Sequence, residues 1–459
     1  MKKILFGGLT LLVVAIAALL IAPGFIDWNA YKSEIAERAQ AATGRRLDIK
    51  GDLSLTLLPA PALSVEGLAL ESIAGAQEPT MVALQSAEAR VALWPLLRGE
   101  VQVDEVRLVK PVITLERLAD GRANWQLGPR QQADGGTGVG AGSEDGGSGT
   151  DFRLDRLLIE NGTLIFHDAA SSVTERLEGI DAELSAGSLA GPFSARGGLS
   201  ARGLKLAFDA QIGTLKPAQA LPLKLALELA GAKTKMALSG SLSQPDANAT
   251  LKAKLDLAGP DLAQLTRLAH QAAGIAPPPL TLNQPFSLKT ALSASSTELA
   301  LNDIQFNLGN STVSGGANMS FAETLGFDVA LNANRFDLDA LLAGIAAGGD
   351  GTSKAAKNTK EATAEAGAGA FEIPANLAGN LNLGIEALSY RGSIIRQAQL
   401  EASVAKGVVT LDRAAVLLPG GSDAQLSGRL STVKGQPQFE GTLEATSDNL
   451  RALMDWLAV

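Results

Sequence analysis

His167 and His270 are the only imidazoles in a chain of 459 residues, and the chain has no cysteine. Without Cys there is no disulfide, no thiolate nucleophile and no Cys-ligated metal. The two histidines stand far apart in unrelated contexts, which disfavours a Ser-His-Asp triad or a His-rich zinc site. Each reads as an ordinary surface or edge residue. Carboxylates are plentiful but scattered: Asp151 with Asp155, and Asp423, come nearest to paired acids, and acids on turns are ordinarily solvated. No catalytic and no metal-binding residue is therefore assigned, no cofactor is expected, and the chain does not read as an enzyme. Gln131–Thr150 contains GxG spacings, yet no apolar strand runs straight into it and no helix opens from it, so it is not a dinucleotide loop. The Asn-x-Ser/Thr triplets at Asn161, Asn248, Asn310 and Asn318 read as strand and turn composition. A formal charge of −9 argues against nucleic acid as a partner.

With little chemistry to position, the elements themselves carry the information. Residues 4–22, ILFGGLTLLVVAIAALLIA, form one uncharged apolar run. At about 1.5 Å of rise per residue it spans roughly 28 Å as a helix, close to the hydrocarbon thickness of a bilayer. Lys2 and Lys3 precede it and no basic cluster directly follows, so the long C-terminal part is expected outside the cytoplasm. A cleaved signal peptide is the alternative; the run exceeds the usual apolar core of such peptides, and Ile21-Ala22-Pro23-Gly24-Phe25 is a poor cleavage site. A helix is expected next over 28–43, with Trp28, Tyr31, Ile35, Ala39 and Ala42 on one face and Gly44 as C-cap.

From Leu47 the period of the apolar residues changes to two. Leu223, Leu225 and Leu227 alternate with Lys224 and Glu228, and Leu251, Leu255 and Leu257 with Lys252, Lys254 and Asp256. Ile304, Phe306 and Leu308 alternate with Gln305 and Asn307, and Phe327, Val329 and Leu331 with Asp328 and Asn332. Strands of this kind have one wet and one apolar face. Only four helices are expected (28–43, 261–271, 336–346, 448–458), too few to cover the apolar faces, so something other than protein must fill them. These twelve apolar residues are the candidate lining of one continuous apolar path. A β-sandwich or solenoid scaffold whose faces pack on one another is the alternative.

Two internal repeats are visible. Val103–Leu108 followed by Pro111 and Ile113–Leu115 returns about 50 residues later as Leu154–Ile159, Gly162 and Leu164–Phe166, and reads as a strand-turn-strand unit used twice. Ser239-Gly240, Ser314-Gly315 and Ser427-Gly428, read as strand turns, are each followed by a short helix starting at Asp261-Leu262, Asp337-Leu338 or Asn449-Leu450. Segments 131–150 and 346–370, rich in Gly, Ala, Ser and Thr, read as a flexible linker and a low-complexity loop.

The segments IDWNAYKSEIAERAQAATGRRLDIKGDLSLTLLPAPALSVEGLAL and ARVALWPLLRGEVQVDEVRLVKPVITLERLADGRANWQL carry a set of ordered landmarks. These are Thr43-Gly44-Arg45, the strand ending at Pro59, Pro95–Gly99, Pro111 with Leu115-Glu116, and Gly121 through Asn124-Trp125. On them, residues 26–127 resemble the N-terminal module of the AsmA family of envelope proteins; Leu417–Gly421 leading to Leu426-Ser427-Gly428 is similar to the family's repeated-domain pattern. The resemblance implies a bacterial inner-membrane anchor, a periplasmic body, and the open β-groove of bridge-like lipid transfer proteins. In such a groove the partners are phospholipid acyl chains, the inner membrane and other envelope proteins, and the role is phospholipid transport between inner and outer membranes. The alternative is a β-rich envelope scaffold without bound lipid.

The expected fold is therefore mainly β: a transmembrane helix (1–25), then a long, repetitive, twisted antiparallel sheet forming an open groove, with a few short amphipathic helices. The expected divisions are an N-terminal AsmA-like module (26–130), the linker (131–150), repeated groove units (151–345), the loop (346–370) and a C-terminal unit (371–459). With a strand about every 14 residues, roughly 25–30 strands are expected. Asp448–Val459 matches a segment that leads onward in the two earlier copies, so the chain is either a short member or a fragment.

Overall fold

A computed structural model describes residues 27–56, 61–92, 103–127, 154–188, 190–243, 249–275, 282–321, 324–339, 341–342, 373–433 and 436–457. The apolar run 4–22 and the segments 131–150 and 346–370 lie outside them. Among the described residues no helix is long and apolar enough to cross a membrane. They carry 22 strands, and the chain divides into two compact units, Met1–Leu215 and Lys216–Val459.

The first unit opens with a short 3-10 turn, Trp28–Tyr31, capped by the Asp27 carboxylate on the Asn29 amide, and runs into α1 (Lys32–Thr43). Gly44 ends α1 in the left-handed conformation at φ 70°, which glycine adopts without strain. No residue of α1 is buried, so its amphipathic pattern does not seat it in a core. The strands follow: β1 (Leu47–Ile49), β2 (Leu53–Thr56), β3 (Ala62–Glu71), β4 (Thr80–Val91), β5 (Val103–Val109), β6 (Val112–Arg117), β7 (Leu154–Asp168), β8 (Val173–Ala186), β9 (Phe193–Ala201) and β10 (Leu204–Ile212). β1 and β2 pair with one edge of β3, β4 with the other, and β7 to β10 form an antiparallel meander.

Two expectations need correction here. β5 and β6 both pair in parallel with β7, so the sheet is mixed and not antiparallel throughout. And the repeated unit is not strand-turn-strand. β7 is one continuous strand with Gly162 in its interior, while β5 and β6 are interrupted by Lys110, at φ 48°, and by the fully buried Pro111. Proline has no N–H for the ladder and so breaks the first copy. The two copies lie side by side with the repeat offset as their register: Val106 is opposite Leu157 and Leu115 is opposite Phe166.

The second unit contains β11 (Leu221–Leu229), β12 (Thr234–Ser243), β13 (Thr250–Gly259), α2 (Leu262–Ala273), β14 (Phe286–Ala294), β15 (Glu298–Leu308), β16 (Ser311–Phe321), β17 (Leu325–Asp337), β18 (Leu377–Tyr390), β19 (Ser393–Ala405), β20 (Val408–Leu418), β21 (Ser422–Val433), β22 (Gln436–Ser447) and α3 (Leu450–Leu457). Each strand pairs with the next in an antiparallel meander, except that β17 and β18 are parallel. Parallel neighbours need a long crossover, and long connections stand at these points, after β6 and after β17. The helix starts agree with the repeat: Asp261 caps α2 through the Gln264 amide, and the Asn449 side chain accepts from the Ala452 amide at the head of α3. The Ser-Gly pairs, however, are not turns. Gly240, Gly315 and Gly428 sit inside β12, β16 and β21, where a Cβ would run into the carbonyl oxygen of Lys252, Ala330 or Glu440 on the neighbouring strand.

Candidate functional site

In a sheet, cross-strand partners share a face, so the registers identify the side chains that lie together. In the second unit, Leu223, Gly240, Ala253, Leu292, Leu301, Ala317, Val329, Leu381, Ala402, Leu411, Gly428 and Gly441 follow one another as successive partners from β11 to β22. A second row runs beside it: Leu221, Leu242, Leu251, Ala294, Leu299, Met319, Phe327, Gly379, Val404, Val409, Leu430 and Phe439. Neither row contains a polar side chain. Twelve strands at about 4.8 Å make each row about 50 Å long.

All twelve candidate residues fall on this one face. Leu223 and Val329 belong to the first row, and Leu251 and Phe327 to the second. Leu227, Leu257 and Phe306 share a third row with Met236, Leu288 and Val313. Leu225 and Leu255 are joined through Leu238, and Ile304 and Leu331 through Gly315; Leu308 lies opposite Phe286. Parity alone would put Leu301 and Ile304 on opposite faces. A bulge between them, with Asp303 at φ 53°, restores both to the same side.

Every one of the twelve is half-buried, none fully buried, while Lys224, Lys252, Lys254, Asp256, Gln305, Asn307, Asp328 and Asn332 on the other face are exposed. Among the described residues no leucine of the second unit is buried, although leucine supplies much of the apolar face. Facing side chains in a two-layer β-sandwich would be buried by the opposing sheet. The arrangement can thus take up apolar material along the sheet; it brings together no nucleophile, base or acid. Among the described residues no three metal-ligating side chains gather. His167 contacts the Thr174 hydroxyl, His270 bonds back to the Thr266 carbonyl oxygen of its own helix, and Asp423 is exposed on β21. Asp151 lies outside the described residues.

Sequence reasoning missed β12, β14, β16 and β18 to β22 as contributors. Their period of two is present, but alanine, glycine and serine dilute it, as at Gly240, Ala317 and Gly428. The first unit has the same construction: Val65, Ala87, Leu108, Ile159, Ala182, Gly197 and Phe208 are successive partners from β3 to β10.

The AsmA family model matches residues 1–308. The chain belongs to the AsmA family. No curated protein and no solved structure matches it. AsmA is an envelope-associated family, and the match extends into the middle of the chain, where the residue landmarks are loose.

The AsmA landmarks within the described residues do structural duty. Asn124, fully buried, donates to the Thr114 carbonyl oxygen (2.8 Å) and the Ser72 hydroxyl (3.1 Å) and accepts from the Glu116 amide (2.9 Å). The buried Glu116 carboxylate accepts the Gln77 amide on both oxygens at 2.9 Å, tying the 72–79 loop to β6. Arg45 reaches the Gln126 carbonyl oxygen at 3.3 Å. Pro59 and Pro95–Gly99 lie outside the described residues.

The outer face of the first unit is an ion-pair ladder. Arg90 bridges Glu88 (2.8 Å) and Glu105 (3.1 Å), Arg156 bridges Glu105 (3.5 Å) and Glu183 (3.3 Å), and Arg196 meets Glu183 at 2.8 Å. The Arg196 guanidinium beside Glu183 holds its carboxyl below the usual range, and the hydrogen bond to Glu88 raises Arg90.

Proposed function

We propose that the chain is an inner-membrane-anchored periplasmic protein of outer-membrane biogenesis that holds phospholipid acyl chains on its apolar sheet face and assists their movement between the two membranes. One observation carries this reading: two rows of partners, twelve strands long and without a polar side chain, on a face whose leucines are nowhere fully buried among the described residues of the second unit. Acyl chains are the natural cover for such a face, because apolar area removed from water is stabilised by about 25 cal/mol per Å² whatever covers it. Family membership supports an envelope role, and the run 4–22 supports an anchor. The protein acts in this reading as a conduit without catalysis, its charged residues keeping the outer face wet.

Lipid extraction of the purified full chain followed by mass spectrometry tests the reading. Phospholipid in at least roughly stoichiometric amount is the expected result, since a row of about 50 Å exceeds the length of one acyl chain. Protein that folds and carries no lipid would instead support the scaffold alternative.

A further inference from the structure

We propose a second binding site, on the face of the sheet opposite the apolar rows, for a phosphate-bearing group. A depression of about 770 Å³ lies at β12 to β15, where Ser239, Lys252, Lys254, Ser293 and Asn302 of the outer face line it together with Gly240, Ala253 and Leu292 of the first apolar row. Registers explain its shape. Lys254 is opposite Ser239 and Ala291, and Lys252 is opposite Ser241 and Ser293, so two long cations rise from a floor of short side chains. Beside them, Lys224 is opposite Ser239.

Charge gives the ligand class. Elsewhere on this outer face the lysines have acidic neighbours: Lys235 lies 3.9 Å from Glu228, and Lys289 lies 3.9 Å from Asp256. Lys252, Lys254 and Lys224 have no ion-pair partner among the described residues, and no Asp or Glu lines the depression. In a chain of net charge −9, three cations whose neighbouring acids, Glu228 and Asp256, are paired with Lys235 and Lys289 are a local reversal of sign. A Lys ammonium supplies three donors and no acceptor; Ser and Asn add neutral ones. That set fits the oxygens of a phosphate, either free or on a lipid headgroup, through charge-assisted hydrogen bonds. Lys252 and Lys254 alternate along β13 with Leu251, Ala253 and Leu255 of the apolar face, so the cations stand on the opposite side from those rows and the proposal does not rest on the rows being occupied.

Full-length protein in phosphatidylcholine nanodiscs is tested in two arms: equilibrium dialysis against radiolabelled inorganic phosphate, and cosedimentation with liposomes containing phosphatidic acid. Both arms compare wild type, Lys252→Gln/Lys254→Gln and the control Lys235→Gln, with the thermal transition recorded for each. The double variant should bind about tenfold or more weakly, at an unchanged transition, and the control should bind as wild type does. Binding of inorganic phosphate assigns a free anion; binding to liposomes alone assigns a headgroup. The proposal is overturned if wild type binds neither probe, or if the double variant binds as tightly as wild type.

Discussion

Gln305 and Phe306 are consecutive in β15 and face opposite sides of the sheet: Phe306 lies between Leu288 and Val313 on the apolar face, Gln305 between Lys289 and Ser314 on the exposed one. Substituting each by aspartate separates uptake from stability. On an open face, a charge at 306 stays wet, and Phe306→Asp should lower stability by about 1 kcal/mol or less. Under a protein layer it would lose the packing of a phenylalanine and strand a charge, roughly 3 kcal/mol or more. The expected outcome is loss of lipid crosslinking by Phe306→Asp and by Leu255→Asp at a nearly unchanged melting temperature, with Gln305→Asp altering neither. Unfolding by the inward variants, with lipid-free wild type, would sink the conduit reading.

Asn124 should behave in the opposite way. Its side chain is fully buried and makes three hydrogen bonds, so Asn124→Ala leaves the Thr114 carbonyl and the Glu116 amide without partners in the interior. The expected loss is about 2–4 kcal/mol, read from chemical denaturation. A loss below about 0.5 kcal/mol would show that water replaces these bonds.

Acid should loosen the first unit. Glu183, held down chiefly by its hydrogen bond to Arg196, and Asp120, held down chiefly by Arg122, have carboxyl groups that titrate lower in the folded chain than in the unfolded one. Their stabilisation is present above the ordinary carboxylate range and is lost as pH falls through the lower folded values. Melting temperature should therefore fall as pH drops below about 4, and less steeply in Arg196→Gln. Equal slopes in the two proteins would show that this pair contributes nothing.

Retention in the membrane tests the anchor. Full-length protein should stay in the membrane pellet through a high-salt wash and be released by detergent, because an apolar run long enough to span is held by hydrophobic burial and not by charge. Recovery of a soluble periplasmic form beginning near Pro23 would instead establish cleavage.

Alternation groups the twelve candidate residues correctly within each strand, since a period of two is a direct consequence of the pleat, and the registers then put the strands' apolar sides on one face. Direction is not encoded in that period: the pattern of Leu325–Asp337 is the same whether Leu377–Tyr390 runs beside it parallel or antiparallel. Glycine was misread for a related reason. A turn and a close approach of two backbones both select it, and at Gly240 and Gly428 the second applies. The outer depression gave no signal along the chain, because Lys252, Ser239, Ser293 and Asn302 come from four strands and meet only through register.

Within the second unit every strand touches chiefly the strand before and the strand after it. Such a sheet behaves like a one-dimensional array, in which stability is a sum over nearest-neighbour seams. Pulled from one end it should peel seam by seam instead of yielding in one event. The same property makes length a free parameter for evolution: inserting one hairpin would lengthen each apolar row by about 10 Å and leave the remaining seams unchanged.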